Sequence, residues 1–404
     1  MNRPVRIFIS TGEVSGDLQA ALLIEALYRQ AALIGLNLDI FALGGERMAA
    51  AGAQLLGNTS EIGSIGILES LPYVLPTLAL QRRAKRYLQQ TPPDIAVLVD
   101  YVSPNVAFCS YFSKHLPTVP VVYYIAPQEW IWSFSSYNTN QIIRGTDRIL
   151  AIFPEEARFF EQKGGSVRWV GHPLVDRMQQ VPTREQARAA LQIPPDQVAI
   201  ALLPASRQQE VKYLLPIIAE AARQIQAKLP QAHFWIPLSL EKYRGPIEQA
   251  IQTYGLRATV LADPSQSVLA ESSLTLQAIA AADLAITKSG TVNLEIALLN
   301  VPQVVLYKIH PGTAWILGNV LNFSVPFVSP VNLVEMQPVV REFLQEQATP
   351  ENLVQESLNL LLNQARRQTM LAGYQSMQRA IGEAGACDRA AQEILKLILE
   401  RRTK

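Results

Sequence analysis

Short apolar runs alternate with helical patterns along most of the chain, and this alternation limits the possible folds more than any other feature. The runs in the first half are VRIFIS, LDIFAL, DIAVLVD, VPVVYYI, DRILAIF and VRWVG. They are apolar on both faces, as strands buried inside a parallel sheet are. The stretch GDLQAALLIEALYRQAAL, which follows the first run, carries Leu23, Ala26 and Leu27 at helical spacing. The alternation therefore predicts a doubly wound parallel sheet.

The pattern stops at MQQVPTREQARAALQIPPDQ, a polar stretch that we interpret as a linker with a short helix. A second series follows, with the runs VAIALLPASR, HFWIPLS, ATVLAD, ADLAITKSG and PQVVLYK. We predict Rossmann-like domains over residues 1–178 and 179–365, and helices over 366–404 that pack back toward the first domain. Two such domains facing each other would leave a central cleft at the carboxyl ends of both sheets, where open α/β folds bind ligands.

Composition excludes several classes of protein. With 49% hydrophobic residues the chain is not disordered, and a net charge of +1 provides no bulk field to attract nucleic acid. Cys109 and Cys387 have no metal-ligand spacing, so we expect two buried, reduced thiols. The first apolar run is too short for a secretory leader, which predicts a cytoplasmic protein. We expect neither a bound metal nor a cofactor.

The loop after the first strand, TGEVSGD, combines two glycines with two carboxylates. Gly12 and Gly16 allow the backbone to approach a ligand, and the next helix directs N–H groups toward it. The third glycine of a dinucleotide fingerprint is missing. The carboxylates of Glu13 and Asp17 suit sugar hydroxyls better than a pyrophosphate, which they would repel. For Asp17, a favourable interaction with the helix dipole is the alternative.

The run PDIAVLVDYVSPN places Asp100 at the end of a predicted strand and Asn105 at the start of the next helix. A carboxylate at this position faces the predicted cleft and can act as a general base. The alternative is an aspartate that caps the helix or forms the turn.

The segment LLPASRQQEV places Arg207 at the start of a helix, where a cation opposes the helix dipole. An anionic ligand such as a diphosphate would explain this position. A salt bridge to Glu210 is the alternative.

The segment ITKSGTVNLE again runs from a strand into a helix. Ser289, Gly290 and Thr291 form a predicted phosphate cradle, and Glu295 can accept hydrogen bonds from ribose hydroxyls. A surface loop with a partly buried glutamate is the alternative.

Taken together, the motifs resemble those of a known family. GEVSGD, GGERM, PDIAVLVD, YYIAPQEWIW, VGHPLVD, LLPASRQQEV and SGTVNLE occur in the order seen in the lipid A disaccharide synthase family, from about residue 5 to residue 335. The resemblance implies a GT-B fold and an inverting glycosyltransferase. Such an enzyme joins UDP-2,3-diacylglucosamine to 2,3-diacylglucosamine 1-phosphate, forms the β-1,6-linked disaccharide of lipid A and releases UDP. Its partners would be these two acylated sugars.

The resemblance also implies roles for individual residues. Asp100 matches the base for the acceptor 6-hydroxyl, Arg207 matches the arginine on the donor diphosphate, and Glu13 is grouped with them as catalytic. The implied donor-binding residues are Ser206, Arg207, Ser289, Gly290, Thr291 and Glu295. The implied acceptor-side residues are Ser15, Gly16, Asp17, Asn105, Trp130 and Asn332.

The sequence departs from the family pattern mainly on the acceptor side. The family has Asp-x-Pro-Asp-Phe-Asn where this chain has DYVSPN, and the arginine that follows its tryptophans is here Ser133. The glycine of its Gly-Ser-Arg loop is Ala205, and Asn332 stands in SPVN rather than SLPN. Two other functions therefore stay open. One is that of another GT-B enzyme acting on UDP-N-acetylglucosamine, such as an epimerase or a muramyl-lipid transferase. The other is that of a nucleotide-sugar-binding protein without catalysis, which the acceptor-side departures suggest. For His172 in VGHPL, a structural role and a role as base are both open.

The segment ILESLPYVLPTLALQRRAKRYL suggests contact with a membrane. Its leucines at helical spacing, followed by a basic cluster, are typical of an interfacial helix. These residues are Leu68, Leu71, Leu75 and Leu78, then Arg82, Arg83, Lys85 and Arg86. An uncharged tract over 309–334 provides a second apolar stretch, whereas Pro72 and Pro76 indicate a kink or a late helix start. We predict peripheral association with the anionic surface of the inner membrane. A core helix with a solvated basic end is the alternative, and homo-oligomer formation is left open.

Overall fold

The protein divides into two compact units. In the computed structural model the described residues are 3–12, 14–59, 67–128, 130–131, 136–179, 181–205, 207–262, 268–310, 312 and 326–402, without the side chains of 67–73, 268–273 and 402. Contacts group Met1–Arg177 with Ile381–Lys404, which we name the N-unit, and Met178–Ala380, which we name the C-unit. The predicted domain boundaries at 178/179 and 365/366 stay predictions, because a grouping by contacts does not show whether each domain folds by itself.

The N-unit is built on a parallel sheet with the strand order β3-β2-β1-β4-β5-β6-β7. The strands are β1 (Val5–Ser10), β2 (Leu38–Gly44), β3 (Gln54–Asn58), β4 (Ile95–Val99), β5 (Val121–Tyr124), β6 (Arg148–Ala151) and β7 (Val167–Trp169). The order changes direction between β1 and β4. In open α/β sheets, the loops after the two strands at such a switch point form the ligand crevice.

The helices of the N-unit connect these strands, and the C-terminal helix joins them. They are α1 (Val14–Leu33), α2 (Glu46–Ala50), α3 (Ile67–Gln90), α4 (Val102–His115), α5 (Ser136–Gly145), α6 (Pro154–Gln162), α7 (Pro173–Met178) and α17 (Ala386–Arg402). Helix α17 packs on α1. The carboxylate of Asp176 accepts hydrogen bonds from the amides of Gly385 (2.5 Å) and Cys387 (2.7 Å), which fixes the start of α17.

The C-unit repeats the same arrangement with the strand order β10-β9-β8-β11-β12-β13. Its strands are β8 (Val198–Leu203), β9 (Ala232–Pro237), β10 (Ala258–Leu261), β11 (Leu284–Lys288), β12 (Gln303–Tyr307) and β13 (Arg341–Leu344). Its helices are α8 (Arg184–Ala190), α9 (Gln208–Tyr213), α10 (Leu215–Lys228), α11 (Arg244–Tyr254), α12 (Val268–Ala281), α13 (Val292–Leu298), α14 (Pro330–Glu335), α15 (Pro350–Leu362) and α16 (Gln364–Ile381). Its switch point lies between β8 and β11.

Both cysteines are buried in the N-unit, which makes their thiols unreactive. The ring of Phe8 lies 5.8 Å from Phe41 and 5.4 Å from Phe108, between the sheet and α4. Cys109 and Cys387 are buried and are not joined to each other. Burial raises the pKa of the Cys109 thiol to about 12, so this thiol stays protonated at neutral pH.

The sequence patterns missed two strands and misjudged one helix. Strands β3 and β13 each lie at one edge of their sheet, and their residues are mostly partly buried rather than buried. Edge strands need no continuous apolar run, and QLLGN and REFL have none. Helix α3 includes both Pro72 and Pro76, so the expected late helix start is wrong. Among the described residues, none of the helices is both long enough and apolar enough to cross a membrane.

Candidate active site

Asn105 links the ends of β1 and β4 by hydrogen bonds at the switch point of the N-unit. Its Nδ2 donates hydrogen bonds to the carbonyl oxygens of Ser10 (3.2 Å), Val99 (3.1 Å) and Asp100 (2.8 Å). Its Oδ1 accepts a hydrogen bond from Ser10 Oγ at 2.8 Å, and the residue is 0% exposed. The resemblance assigns Asn105 to the acceptor side. With its amide used in this way, any effect on an acceptor is indirect, through the position of Asp100.

Asp100 directly follows β4 and has an unusual backbone conformation. Its φ is 49° and that of Tyr101 is 55°, both in the left-handed region that side chains disfavour. The Asp100 amide donates to the Ile125 carbonyl (3.1 Å), and Tyr123 Oη donates to the Asp100 carbonyl (2.9 Å). Such conformations persist only where surrounding bonds hold them, and they cluster at active sites. The half-buried carboxylate of Asp100 is therefore carried on a fixed backbone.

Both glycines of the first loop are required by neighbouring side chains. A Cβ at Gly12 would overlap the ring of Tyr101, and a Cβ at Gly16 would overlap Thr11 Oγ1. The contact between Gly12 and Tyr101 brings the loops after β1 and β4 together. Glu13 lies outside the described residues, and Ser15 is half-buried in the first turn of α1.

Asp17 is a capping residue for a different helix from the one that carries it. Its carboxylate accepts hydrogen bonds from the amides of Gly45 (2.8 Å), Arg47 (3.2 Å) and Met48 (3.2 Å) at the start of α2. The side chain is 2% exposed. Asp17 lies in the first turn of α1, where a negative charge is favourable to the helix dipole, as the alternative expects. Its carboxylate also holds the GGERM segment beside the first loop.

A buried carboxylate that the sequence reasoning missed lies behind Asp100. Glu156 accepts hydrogen bonds from the amides of Ala126 (3.0 Å), Ile152 (2.9 Å) and Phe153 (3.2 Å), and so ties together the loops after β5 and β6. Burial raises its pKa to about 8, and the negative charge of Asp100 contributes to the rise. The available signal was an acidic pair directly after the strand run DRILAIF.

Two aromatic side chains near this edge pack on Phe153. His172 is 2% exposed, its Nδ1 accepts a hydrogen bond from the Leu174 amide (3.2 Å), and its ring lies 5.2 Å from that of Phe153. Burial lowers the pKa of His172 to about 3, so the ring is neutral at physiological pH, and its burial and hydrogen bond favour the structural role. The ring of Trp130 lies 6.1 Å from Phe153, and its buried Nε1 has no hydrogen-bond partner among the described residues. Trp132 lies outside them.

Two cations share one carboxylate at the switch point of the C-unit. Glu210 Oε2 accepts a hydrogen bond from the Arg207 amide at 3.0 Å. Glu210 Oε1 lies 3.7 Å from Arg207 Nη1 and 3.5 Å from Lys288 Nζ. The salt bridge that is the alternative for Arg207 is therefore present, and Lys288 shares its carboxylate. Lys288 was missed, although a lysine between an apolar run and SGT was a signal. Ser206 lies outside the described residues.

The SGT loop is held from within the C-unit. Asn293 Oδ1 accepts a hydrogen bond from the Gly290 amide (3.0 Å), and Asn293 Nδ2 donates to the Lys288 carbonyl (3.0 Å). Ser289 Oγ donates to the Val328 carbonyl at 2.9 Å, so its hydroxyl proton is used inside the protein. Thr291 is half-buried just before α13, whereas Glu295 is only 6% exposed.

Asn332, which the resemblance groups with the acceptor-side residues, belongs to the C-unit. Its Nδ2 donates to the Val340 carbonyl (2.9 Å) and to Glu342 Oε1 (2.7 Å), and its Oδ1 accepts from the Val340 amide (2.8 Å). At 1% exposed, it holds α14 against β13. Burial raises the pKa of Glu342, its partner in this network.

Sequence comparisons with known proteins agree on one family. A sequence model described as lipid-A-disaccharide synthetase matches residues 7–397. The chain is 60% identical to the lipid-A-disaccharide synthase of Gloeothece citriformis, over 98% of this chain and 100% of the relative. It is 51% identical to that of Synechocystis sp., over 97% and 98%.

A solved structure supports the fold. The S. aureus MnaA–UDP co-structure superposes with a TM-score of 0.68 at 14% identity, over 99% of this chain and 98% of that one. This likeness concerns the fold alone, namely two parallel α/β domains of the GT-B class with a helical C-terminus, as the sequence predicted. The match over nearly the whole length, together with the high identity to the two synthases, shows that the chain belongs to the lipid-A-disaccharide synthase family.

Proposed function

We propose that this protein is an inverting glycosyltransferase that joins UDP-2,3-diacylglucosamine to 2,3-diacylglucosamine 1-phosphate, with release of UDP. The observation that carries the proposal is the position of Asp100, a carboxylate on a restrained backbone at the N-unit switch point, in a chain of this family. The epimerase and muramyl-lipid alternatives are not favoured, because the highly similar relatives are named as synthases.

In the proposed reaction, Asp100 removes the proton from the acceptor 6-hydroxyl. The hydroxyl oxygen then forms a bond to the anomeric carbon of the donor. The bond from that carbon to the β-phosphate oxygen breaks, and its electron pair leaves with UDP. Arg207 and the loop of Ser289, Gly290 and Thr291 would bind the diphosphate and stabilise the leaving group, and Glu295 would bind the ribose.

The test of the base is the variant Asp100→Asn. We expect turnover to fall by about 100-fold or more, the scale of losing a general base, while UDP affinity stays unchanged. Product is measured by mass spectrometry with both acylated sugars, and UDP binding by calorimetry. Asp39→Asn is the matched control, because Asp39 lies in β2 and pairs with Arg6 at 3.3 Å, toward the amino end of the sheet. Near-normal turnover in Asp100→Asn would remove Asp100 from the mechanism, and absence of product with the parent would refute the function.

The test of the donor site uses Arg207→Ala and Glu295→Ala. Each should weaken UDP binding by about 1–3 kcal/mol, the range for hydrogen bonds to charged groups. Calorimetry at constant ionic strength measures the change. Unchanged UDP affinity in both variants would mean that the donor site has been assigned to the wrong residues.

We also propose that α3 carries a membrane-binding face. Its exposed apolar side chains are those of Val74 (45% exposed), Leu75 (77%) and Leu78 (41%). Exposed Arg82, Arg83 and Arg86 follow on the same helix. This combination favours an interfacial segment over a core helix, and a substrate with two acyl chains has to be taken from a bilayer. The α3 face in this sense comprises these six residues.

One predicted member of the basic cluster is corrected. Lys85 is half-buried, and its Nζ lies 5.5 Å from the ring centre of Phe108 and 5.3 Å from that of Tyr111. Burial lowers the pKa of Lys85. It therefore packs on aromatic rings and does not point toward headgroups. Leu68 and Leu71 lie outside the described side chains, as does most of the tract over 309–334.

Vesicle sedimentation tests the α3 face. Replacement of Arg82, Arg83 and Arg86 by Ser should release the protein from anionic vesicles at low salt, because each cation contributes about 1 kcal/mol near an anionic surface. UDP affinity should not change. The charge-matched control replaces three exposed cations elsewhere on the N-unit, namely Arg144, Lys163 and Arg168. Equal pelleting of the parent and the first variant, at low and at high salt, would refute this placement.

A further inference from the structure

The backbone directly after β5 has a conformation that needs support. The φ of Ile125 is 61°, and β-branched residues rarely adopt this left-handed region. Among the described residues of the N-unit, Asp100 and Tyr101 are the only other non-glycine residues with a positive φ. All three lie at the carboxyl ends of the neighbouring strands β4 and β5. Strain of this kind persists only where the surroundings hold it, and it clusters at functional sites.

One peptide unit joins Ile125 to the proposed base. The Ile125 carbonyl accepts a hydrogen bond from the Asp100 amide at 3.1 Å. The amide of the same peptide unit belongs to Ala126 and donates to Glu156 Oε1 at 3.0 Å. A trans peptide unit is planar, and its C=O and N–H point in opposite directions. A group that fixes the Ala126 N–H therefore also fixes the oxygen that receives the Asp100 amide.

Glu156 ties this peptide unit to the next strand of the sheet. Its Oε2 accepts hydrogen bonds from the amides of Ile152 (2.9 Å) and Phe153 (3.2 Å), which follow β6. The Ile125 amide donates to the Leu150 carbonyl of β6 at 3.2 Å. The carboxyl group thus connects the loop that supports Asp100 to the regular part of the sheet.

Helix capping by itself does not account for Glu156. As the third residue of α6 it caps that helix, but capping is equally possible at a solvated helix start. Here the side chain is 1% exposed, and burial together with the charge of Asp100 raises its pKa. The bond to Ala126, which is 30 residues away and 3% exposed, is the contact that capping does not need. Both oxygens can accept hydrogen bonds in either protonation state, so this contact does not depend on charge.

We infer that Glu156 is a positioning residue for Asp100, and that it acts by holding the peptide unit between Ile125 and Ala126 in the orientation that receives the Asp100 amide. The inference rests on the proposed function, in which Asp100 is the base. Glu156 takes no part in the proton transfer itself. Without it, the buried Ala126 N–H would lose its acceptor and the peptide unit could rotate. The backbone that carries Asp100 would then lose part of its support.

Glu156→Gln tests the inference, because glutamine has nearly the same shape but only one acceptor oxygen. It cannot serve both the Ala126 amide and the amides that follow β6. We expect kcat to fall by about 10-fold to 100-fold, the scale of a small misplacement of a reacting group. The KM for the donor and the affinity for UDP should stay unchanged, because the proposed donor residues belong to the C-unit. Glu155→Gln is the matched control, because Glu155 precedes Glu156 in α6 and pairs with Arg158 of the same helix.

A double variant separates positioning from a general structural role. If Glu156 acts through Asp100, the combination of Asp100→Asn and Glu156→Gln should be no slower than Asp100→Asn alone. A further fall of kcat in the double variant would overturn the inference. An unchanged kcat in Glu156→Gln, or a parallel loss of UDP affinity measured by calorimetry, would overturn it as well.

Circular dichroism establishes that each variant is folded at the assay temperature. If Glu156→Gln does not fold, Glu156→Asp replaces it, because aspartate keeps both oxygens but is too short for them to reach both loops. An unchanged kcat in the folded Glu156→Asp would overturn the inference. These results leave the proposed function intact, whereas a parent that forms no product, or near-normal turnover in Asp100→Asn, would refute the proposed function or its base.

Discussion

Loss of the Asn105 side chain should be the most damaging single truncation at the N-unit switch point. Asn105→Ala removes the amide that donates to three carbonyl groups and the oxygen that accepts from Ser10 Oγ. Two amide protons cannot make three full hydrogen bonds, so we count two, at about 1 kcal/mol each. The Ser10 hydroxyl, which is 2% exposed, would lose its partner at a further cost of about 1–2 kcal/mol. The expected loss of stability is therefore about 3–4 kcal/mol.

The same variant should impair turnover without affecting the donor site. The Asp100 carbonyl would lose its shortest restraint, the 2.8 Å bond from Asn105, and its left-handed backbone could relax. We expect turnover to fall, while UDP affinity stays as in the parent because the proposed donor residues belong to the C-unit.

Urea unfolding monitored by circular dichroism measures the stability change, which should be confined to the transition of the N-unit. Ser10→Ala is the matched control and should cost only about 1 kcal/mol, because it removes one donor. The double variant should be less destabilised than the sum of the single variants, since the two side chains contact each other. A destabilisation below about 1 kcal/mol in Asn105→Ala, or unchanged turnover, would refute this reasoning.

Three further predictions concern the same unit. Burial raises the pKa of Glu156 to about 8, above its ordinary value of 4.5, so the folded state holds a proton that the unfolded state lacks between these values. Relative to Glu156→Gln, the parent should lose stability as pH rises toward 8, by up to about 1.4 kcal/mol per pH unit. Urea unfolding at several pH values measures this, and the same dependence of stability on pH in both proteins would contradict it. Gly12→Ala should lower the free energy of unfolding by about 1–3 kcal/mol, because its Cβ would overlap the ring of Tyr101. Gly245→Ala is the control and should not lower it, because a Cβ there would have nothing within 4 Å. Equal melting temperatures of the two variants would contradict the prediction. Asp17→Ala should cost about 0.5–2 kcal/mol by removing the cap of α2, and unchanged thermal unfolding would count against that role.

Much of the fold follows from local patterns. Runs such as DIAVLVD and VAIALL are apolar on both faces, and only a sheet covered on both sides buries such strands. Polar residues that follow the predicted strands, such as Asp100 and Arg207, could also be picked out from the sequence. The strand order of the structure then places them near the switch points. The order of the motifs was also enough to recognise the family, because it is a property of the chain itself.

Other features depend on residues that are far apart in the chain. Asp17, Asn105 and Asn332 are polar residues in the motifs, and from the sequence they are indistinguishable from ligand-binding groups. Only in the folded protein do backbone groups 28, 95 and 8 residues away use their hydrogen-bonding capacity. The pairing of Lys288 with Glu210 likewise requires β8 and β11 to lie side by side. Capping partners, shared ion pairs and the edge strands β3 and β13 could not be predicted from the sequence. Burial and hydrogen-bond saturation depend on three-dimensional neighbours, which local periodicity does not encode.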